Sequence, residues 1–157
     1  MKRLALILVL LWPMAVLADG AVGYEAHQRG DFATAMREWK PMAEPGDSIA
    51  QYTLGVMYSK GQGVTLDEVE AVKWFRLAAE QSDPDAQNSP GLMYSQGKGA
   101  IEDNLQAYAW WSLAADQGHE GGALGKNIIR VLLTPEQIAD AEKLSRKLCA
   151  KIPGCVK

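Results

Sequence analysis

The residues able to do chemistry are few and far apart. His27 and His119 are the only histidines in the 157 residues. They lie in the polar stretches EAHQRGD and QGHEGG, with no serine or cysteine beside either, so no nucleophile–base pair is in view. Both are expected to face solvent. Asp67 and Asp103 invite comparison with a glycosidase acid pair, but each stands where a helix should start, and capping its free amides accounts for both. The glycine pairs Gly61-x-Gly63 and Gly97-x-Gly99 lack the preceding strand and the full fingerprint of a phosphate cradle. No H-E-x-x-H, four-cysteine cluster or carboxylate-rich calcium loop occurs. No catalytic residue, cofactor or metal ligand is therefore expected, and the chain does not read as an enzyme.

Cys149 and Cys155 are the only cysteines, in LCAKIPGC. They lack the C-x-x-C spacing and the neighbouring histidine of a redox or metal pair. Pro153 and Gly154 can turn the chain back between them, and a Cys149–Cys155 disulfide is expected in an exported protein. Export is predicted by residues 1–18, MKRLALILVLLWPMAVLA, with a basic start, an apolar run and small residues at Val16 and Ala18. Cleavage is expected after Ala18. The run from Leu4 is shorter than the ~20 residues of a spanning helix and contains Pro13, so no stable membrane insertion is expected after cleavage. A periplasmic or secreted location follows. The remaining chain has 14 basic against 19 acidic residues, a net charge of −5, with no basic stripe. That balance argues against nucleic acid as a partner.

These residues must be positioned by a repeated element. The stretch AQYTLGVMYSKGQGVTLDEVEAVKWFRLAAEQ, from Ala50, returns from Ala86 as AQNSPGLMYSQGKGAIEDNLQAYAWWSLAADQ, a period of 36 residues. Gly55 matches Gly91, Tyr58 Tyr94, Gly61 Gly97, Gly63 Gly99, Ala71 Ala107 and Trp74 Trp110. Such a period marks stacked units, each covering its neighbour's apolar face. Ala50, Leu54, Met57 and Tyr58, then Val69, Val72, Phe75 and Ala79, fall at helical spacing, so each unit is two helices. The glycine pairs mark the hinge between them, where a left-handed backbone is needed. Gly55 and Gly91 sit inside the first helix at a cost of about 1 kcal/mol each, which implies close helix approach. Trp74 and Trp110 supply bulk between units.

The pattern A-Q-x-x-L-G-x-x-Y-x-x-G-x-G-V followed by D-x-x-x-A-x-x-W-x-x-x-A-A, read from Ala50 to Ala79, resembles the Sel1-like repeat, a relative of the tetratricopeptide repeat. The resemblance implies an all-α fold, a right-handed α-solenoid of antiparallel helix pairs. It divides the chain into a shortened N-terminal repeat over 19–49, carried by Tyr24, Gly30, Asp31, Ala35, Trp39 and Ala43, and repeats over 50–85 and 86–121. Capping helices with the disulfide follow over 122–157. Ala123–Leu133 is expected to be helical. Thr134-Pro135-Glu136-Gln137 then opens a last helix to about Ala150, with Ile138, Ala141, Leu144 and Leu148 inward. Pro90 departs from the pattern. It replaces Leu54 inside a helix, where it removes a hydrogen bond at about 3 kcal/mol, so a kink or break just before it is expected.

Members of the family commonly act as adaptors between proteins, which implies a protein partner in the cell envelope. Gln51, Tyr52 and Gln87 are expected to be exposed along the first-helix face, with Trp111 as an aromatic contact. Some cysteine-rich exported members bind or slowly hydrolyse β-lactams. That implies an alternative, a cell-wall binding protein or weak hydrolase, but the repeats here lack the cysteines of those members.

Overall fold

Alternation of helix-forming runs with capping aspartates and paired glycines gives a stack of helix pairs. The computed structural model describes residues 19–99 and 103–156, so the expected signal peptide, residues 1–18, lies outside the described residues. Among the described residues the chain forms α1 (Asp19–Gln28), α2 (Phe32–Ala43), α3 (Ser48–Lys60), α4 (Glu68–Ala79), α5 (Pro84–Gln96), α6 (Asn104–Asp116), α7 (Glu120–Arg130) and α8 (Pro135–Cys149), and no strand. Each helix through α7 packs on the next, and α8 closes the stack by packing on α6.

Helix caps hold the register. Asp31, Asp67 and Asp103, one period apart, accept from first-turn amides of α2, α4 and α6. Asp47 and Asp83 do the same for α3 and α5, from Ala50 N at 2.8 Å and Ala86 N at 3.0 Å. Each such cap is worth about 1 kcal/mol. His119 stands one period after Asp83 and caps α7 with its ring, Nδ1 accepting from Gly122 N at 2.8 Å. α7 thus starts one period after α5, at Glu120, ahead of the expected Ala123, but α8 packs on α6 and does not complete a fourth helix pair with it. The Thr134–Gln137 capping box forms as the sequence suggests. Ala141 and Leu148 of α8 are buried, and Ile138 and Leu144 half-buried.

Trp39, Phe75 and Trp111, again one period apart, lie over Gly23, Gly55 and Gly91 on the first helix of each pair. A Cβ at Gly55 would stand 2.5 Å from the Phe75 ring, and one at Gly91 2.6 Å from Trp111. The absent side chain lets the two helices of a pair close on an aromatic ring. Ala71, Ala78, Ala79, Ala107 and Ala114 are fully buried on the second helices, and Trp74 and Trp110 are 8% and 1% exposed. Trp74 packs among Ala35, Ala50 and Leu54, and Trp110 among Ala78, Ala86 and Leu113, so each joins consecutive pairs. Truncating such a tryptophan costs about 3–5 kcal/mol.

The inter-helix turns are anchored as well as bent. Gly61 and Gly97 end their helices at φ 65° and 64°, and Tyr58 and Tyr94 accept through their carbonyls from the amides of Asp67 and Asp103. Gly63 and Gly99 lie against the preceding pair: a Cβ there would meet Phe32 O at 2.4 Å and Glu68 O at 1.9 Å. Those two carbonyls are themselves one period apart.

Two positions depart from the simple pattern. Of the kink or break expected before Pro90, the break is absent: α5 runs unbroken from Pro84 to Gln96 with Pro90 inside it and fully buried. The ring packs at the site where α3 buries Leu54. Val69, which shares the helical spacing of Val72, Phe75 and Ala79, is 65% exposed. The Cys149–Cys155 disulfide joins the last residue of α8 to the turn beyond it, and Pro153 within its loop accepts a hydrogen bond from Ser82 Oγ.

Candidate interaction surface

The residues picked out for contact are mostly structural. Gln51 and Gln87 are 5% and 0% exposed, not open on the first-helix face. A helix leaves its last carbonyls without intrahelical donors. Gln51 Nε2 reaches back to Ala43 O at 3.0 Å, and Gln87 Nε2 to Ala79 O at 3.3 Å, satisfying the ends of α2 and α4. Their Oε1 atoms accept in turn from Gln81 and Gln117, each at 2.7 Å. Trp111 is 7% exposed, held between Gly91 and Gly125, and is likewise a packing residue. Tyr52 is half-buried with its ring 5.6 Å from Phe75, and it borders an open groove.

The histidines are not simply solvated. His27 is half-buried, its ring 5.1 Å from Phe32 and 5.6 Å from Trp39, and a ring nitrogen lies 3.4 Å from Gln62 Oε1. His119 caps α7, and its Nε2 stands 3.1 Å from Asp85 Oδ1. Burial, and then the charge of Glu142, raise the Tyr108 hydroxyl above the usual tyrosine range, while Lys126 Nζ sits 5.2 Å over its ring. No group of three or more His, Cys, Asp or Glu among the described residues is arranged to hold a metal ion. No described helix is long and apolar enough to cross a membrane.

Part of what remains exposed and apolar follows the repeat. Val56, Leu92 and Ile128 stand one period apart on α3, α5 and α7, and Tyr24 follows Gly23 as Val56 follows Gly55. Val56 is half-buried, whereas Tyr24, Leu92 and Ile128 are 59%, 45% and 57% exposed. One turn earlier, Leu124 takes the place of Tyr52. The sequence carried this signal in the aliphatic residues at 56, 92 and 128, which helical spacing within one repeat does not single out. Between α1 and α3 the surface opens into a groove of about 540 Å³, lined by Tyr24, His27, Met42, Ile49, Tyr52 and Val56. Asp47 is the one carboxylate in its lining. A smaller hollow of about 370 Å³ runs beside α4, along Val69, Val72 and Leu77. Its cations Lys73 and Arg76 are paired with Glu70 and Glu80.

The Sel1 repeat family model matches residues 48–83 and 84–119. Each match is one period long and starts on the residue after a first-helix cap, Asp47 or Asp83. Among solved structures, a protective antigen present in uropathogenic Escherichia coli strains, displaying an SLR fold, aligns with a TM-score of 0.81 and 31% identity over 87% of this chain. A Sel1 repeat protein from Oxalobacter formigenes aligns with a TM-score of 0.67 and 31% identity over 76% of this chain. The chain spans 30% and 52% of the lengths of those two proteins. No curated protein matches the chain.

Proposed function

Because this chain carries two Sel1 repeats within a stack of helix pairs, we propose that it is a protein-interaction module that docks its partner along the first-helix face, acting in the cell envelope or outside the cell once residues 1–18 are removed. The observation that carries this reading is the row Tyr24, Val56, Leu92 and Ile128, one apolar side chain on each of α1, α3, α5 and α7, of which Tyr24 and Val56 line the α1–α3 groove. A solenoid core does not need those side chains exposed, whereas an extended partner surface does. The polar stretches around them give such a surface its rim.

Photo-crosslinking amino acids placed at Val56 and Leu92, with Val69 as the control on α4, test the reading in cells. One dominant protein adduct at positions 56 and 92, absent at 69, is the expected outcome. Equal labelling at all three positions would remove the first-helix face as the docking site. Recovery of muropeptides, or a covalent adduct with a labelled penicillin, would favour the cell-wall alternative. Sequencing the N-terminus of the exported protein is expected to begin at Asp19.

A further inference from the structure

The groove has a counterpart on the same molecule. α7 buries Gly122, Gly125 and Ile129 toward α6 and turns Leu124 and Ile128 outward, at 63% and 57% exposure, while Val131 and Leu132, in the turn that follows it, are 81% and 65% exposed. Leu124 and Ile128 fall at i and i+4, the spacing of a helix that seats in a groove, and the turn extends their apolar surface. They lie bare because the stack stops there. Tyr52 and Asn88, the counterparts of Leu124, each meet the next pair, Tyr52 beside the core cluster that contains Ala86 and Asn88 across from Gly121. No next pair follows α7, since α8 packs on α6 instead.

Charge differs between the two ends. Residues 19–60 hold 6 acidic and 4 basic side chains, whereas residues 120–157 hold 4 acidic and 7 basic. Lys126 and Arg130 stand on α7 itself, while Asp47 lines the α1–α3 groove, with the exposed Glu44 and Glu25, the latter paired with Arg29, close to it in sequence. We infer that the partner of the α1–α3 groove is a second copy of this chain, whose ridge of Leu124 and Ile128 on α7 and Val131 and Leu132 in the turn after it seats head to tail among Tyr24, Met42, Ile49 and Val56. The inference rests on the groove being a partner site. The contact joins two different surfaces, so it repeats from copy to copy and extends unless the rotation closes a ring.

Sedimentation of the chain from Asp19 onward, which contains all eight helices, tests this. At low salt the mass is expected to rise with concentration past the dimer, and the association to weaken by about tenfold near 0.5 M salt as the end charges are screened. Ile128→Glu and Tyr24→Glu each remove one of the two surfaces, and each is expected to be monomeric with an unchanged helical circular dichroism spectrum. Mixed, they are expected to form a discrete dimer, because one variant keeps an intact groove and the other an intact ridge. A wild-type chain that stays monomeric at every concentration, or a mixture that stays monomeric, overturns the inference. If the crosslinker at Val56 still captures another protein, the groove remains a partner site and only the second copy is excluded. If it captures nothing, both readings fall.

Discussion

Gln117 donates to Oε1 of Gln87 at 2.7 Å, one period after Gln81 makes the same bond to Gln51. Each buried glutamine thereby ties three helices together: it sits on the first helix of one pair, closes the end of the preceding helix, and receives the residue just past its own second helix. Gln87→Ala removes the donor to Ala79 O and leaves a cavity at a fully buried site. A loss of about 2–3 kcal/mol is expected, read as a lower urea midpoint with unchanged slope. A smaller loss for Gln117→Ala is expected, since that side chain is exposed and water replaces its bond.

Gly91→Ala sets helix propensity against space. Propensity favours alanine by about 1 kcal/mol, but its Cβ would stand 2.6 Å from the Trp111 ring, which Gly125 confines from the other side. Overpacking of this kind costs about 1–3 kcal/mol. Net destabilisation is expected in thermal melts, and the added change Trp111→Leu should recover part of it. Equal melting points for Gly91→Ala and wild type would mean the ring moves freely.

Pro90→Leu restores the side chain that α3 carries at Leu54 and returns an amide to the middle of α5. An interior proline costs a helix about 3 kcal/mol in isolation. Because α5 is already continuous, with the ring buried, part of that cost is offset by packing. A gain of about 1–2 kcal/mol is expected in the urea midpoint. No gain would show that burial of the pyrrolidine offsets the missing bond completely.

Tyr108 links stability to alkaline pH. Its hydroxyl titrates above the ordinary value of 10.0, first through burial and then through the charge of Glu142. Below pH 10.0 the neutral form is present in both folded and unfolded chains, so this contribution to stability is complete. As pH rises through the folded value, the unfolded chain has already lost the proton, and the contribution disappears. Tyr108→Phe is expected to flatten the fall in stability above pH 10.0, with little change in its pH dependence near neutrality. The comparison is read from denaturant midpoints across the alkaline range.

The helix pairs were legible because two kinds of sequence signal agreed: apolar spacing within a helix, and matched glycines and aspartates one period apart. The fate of the polar side chains was not legible in the same way. Gln51 and Gln87 read as surface residues because sequence does not reveal that a carbonyl eight residues back needs a donor. His119 read as a turn residue because a ring nitrogen can replace the carboxylate of Asp47 and Asp83, a substitution of function without likeness of residue type. Pro90 read as a break because propensity is local, whereas the burial that accommodates it comes from neighbouring helices. Trp111 read as a possible contact because the glycine that covers its second face, Gly125, lies beyond the two clear repeats.

The spacing of the first-helix caps also bears on how such a chain can change length. Asp47, Asp83 and His119 each stand immediately before a first helix and offer its first turn an acceptor, and the residues behind Asp47 and Asp83 present the same glutamine-bound carbonyl. Excising residues 48–83 would bring Asp47 to Pro84 and make a junction whose cap, glutamine and glycine contacts already exist in the parent chain. Inserting another such segment would do the same twice over. Whole units can therefore be gained or lost without leaving a polar group stranded at the seam, so the reach of the molecule can vary in whole-repeat steps while its joints stay the same.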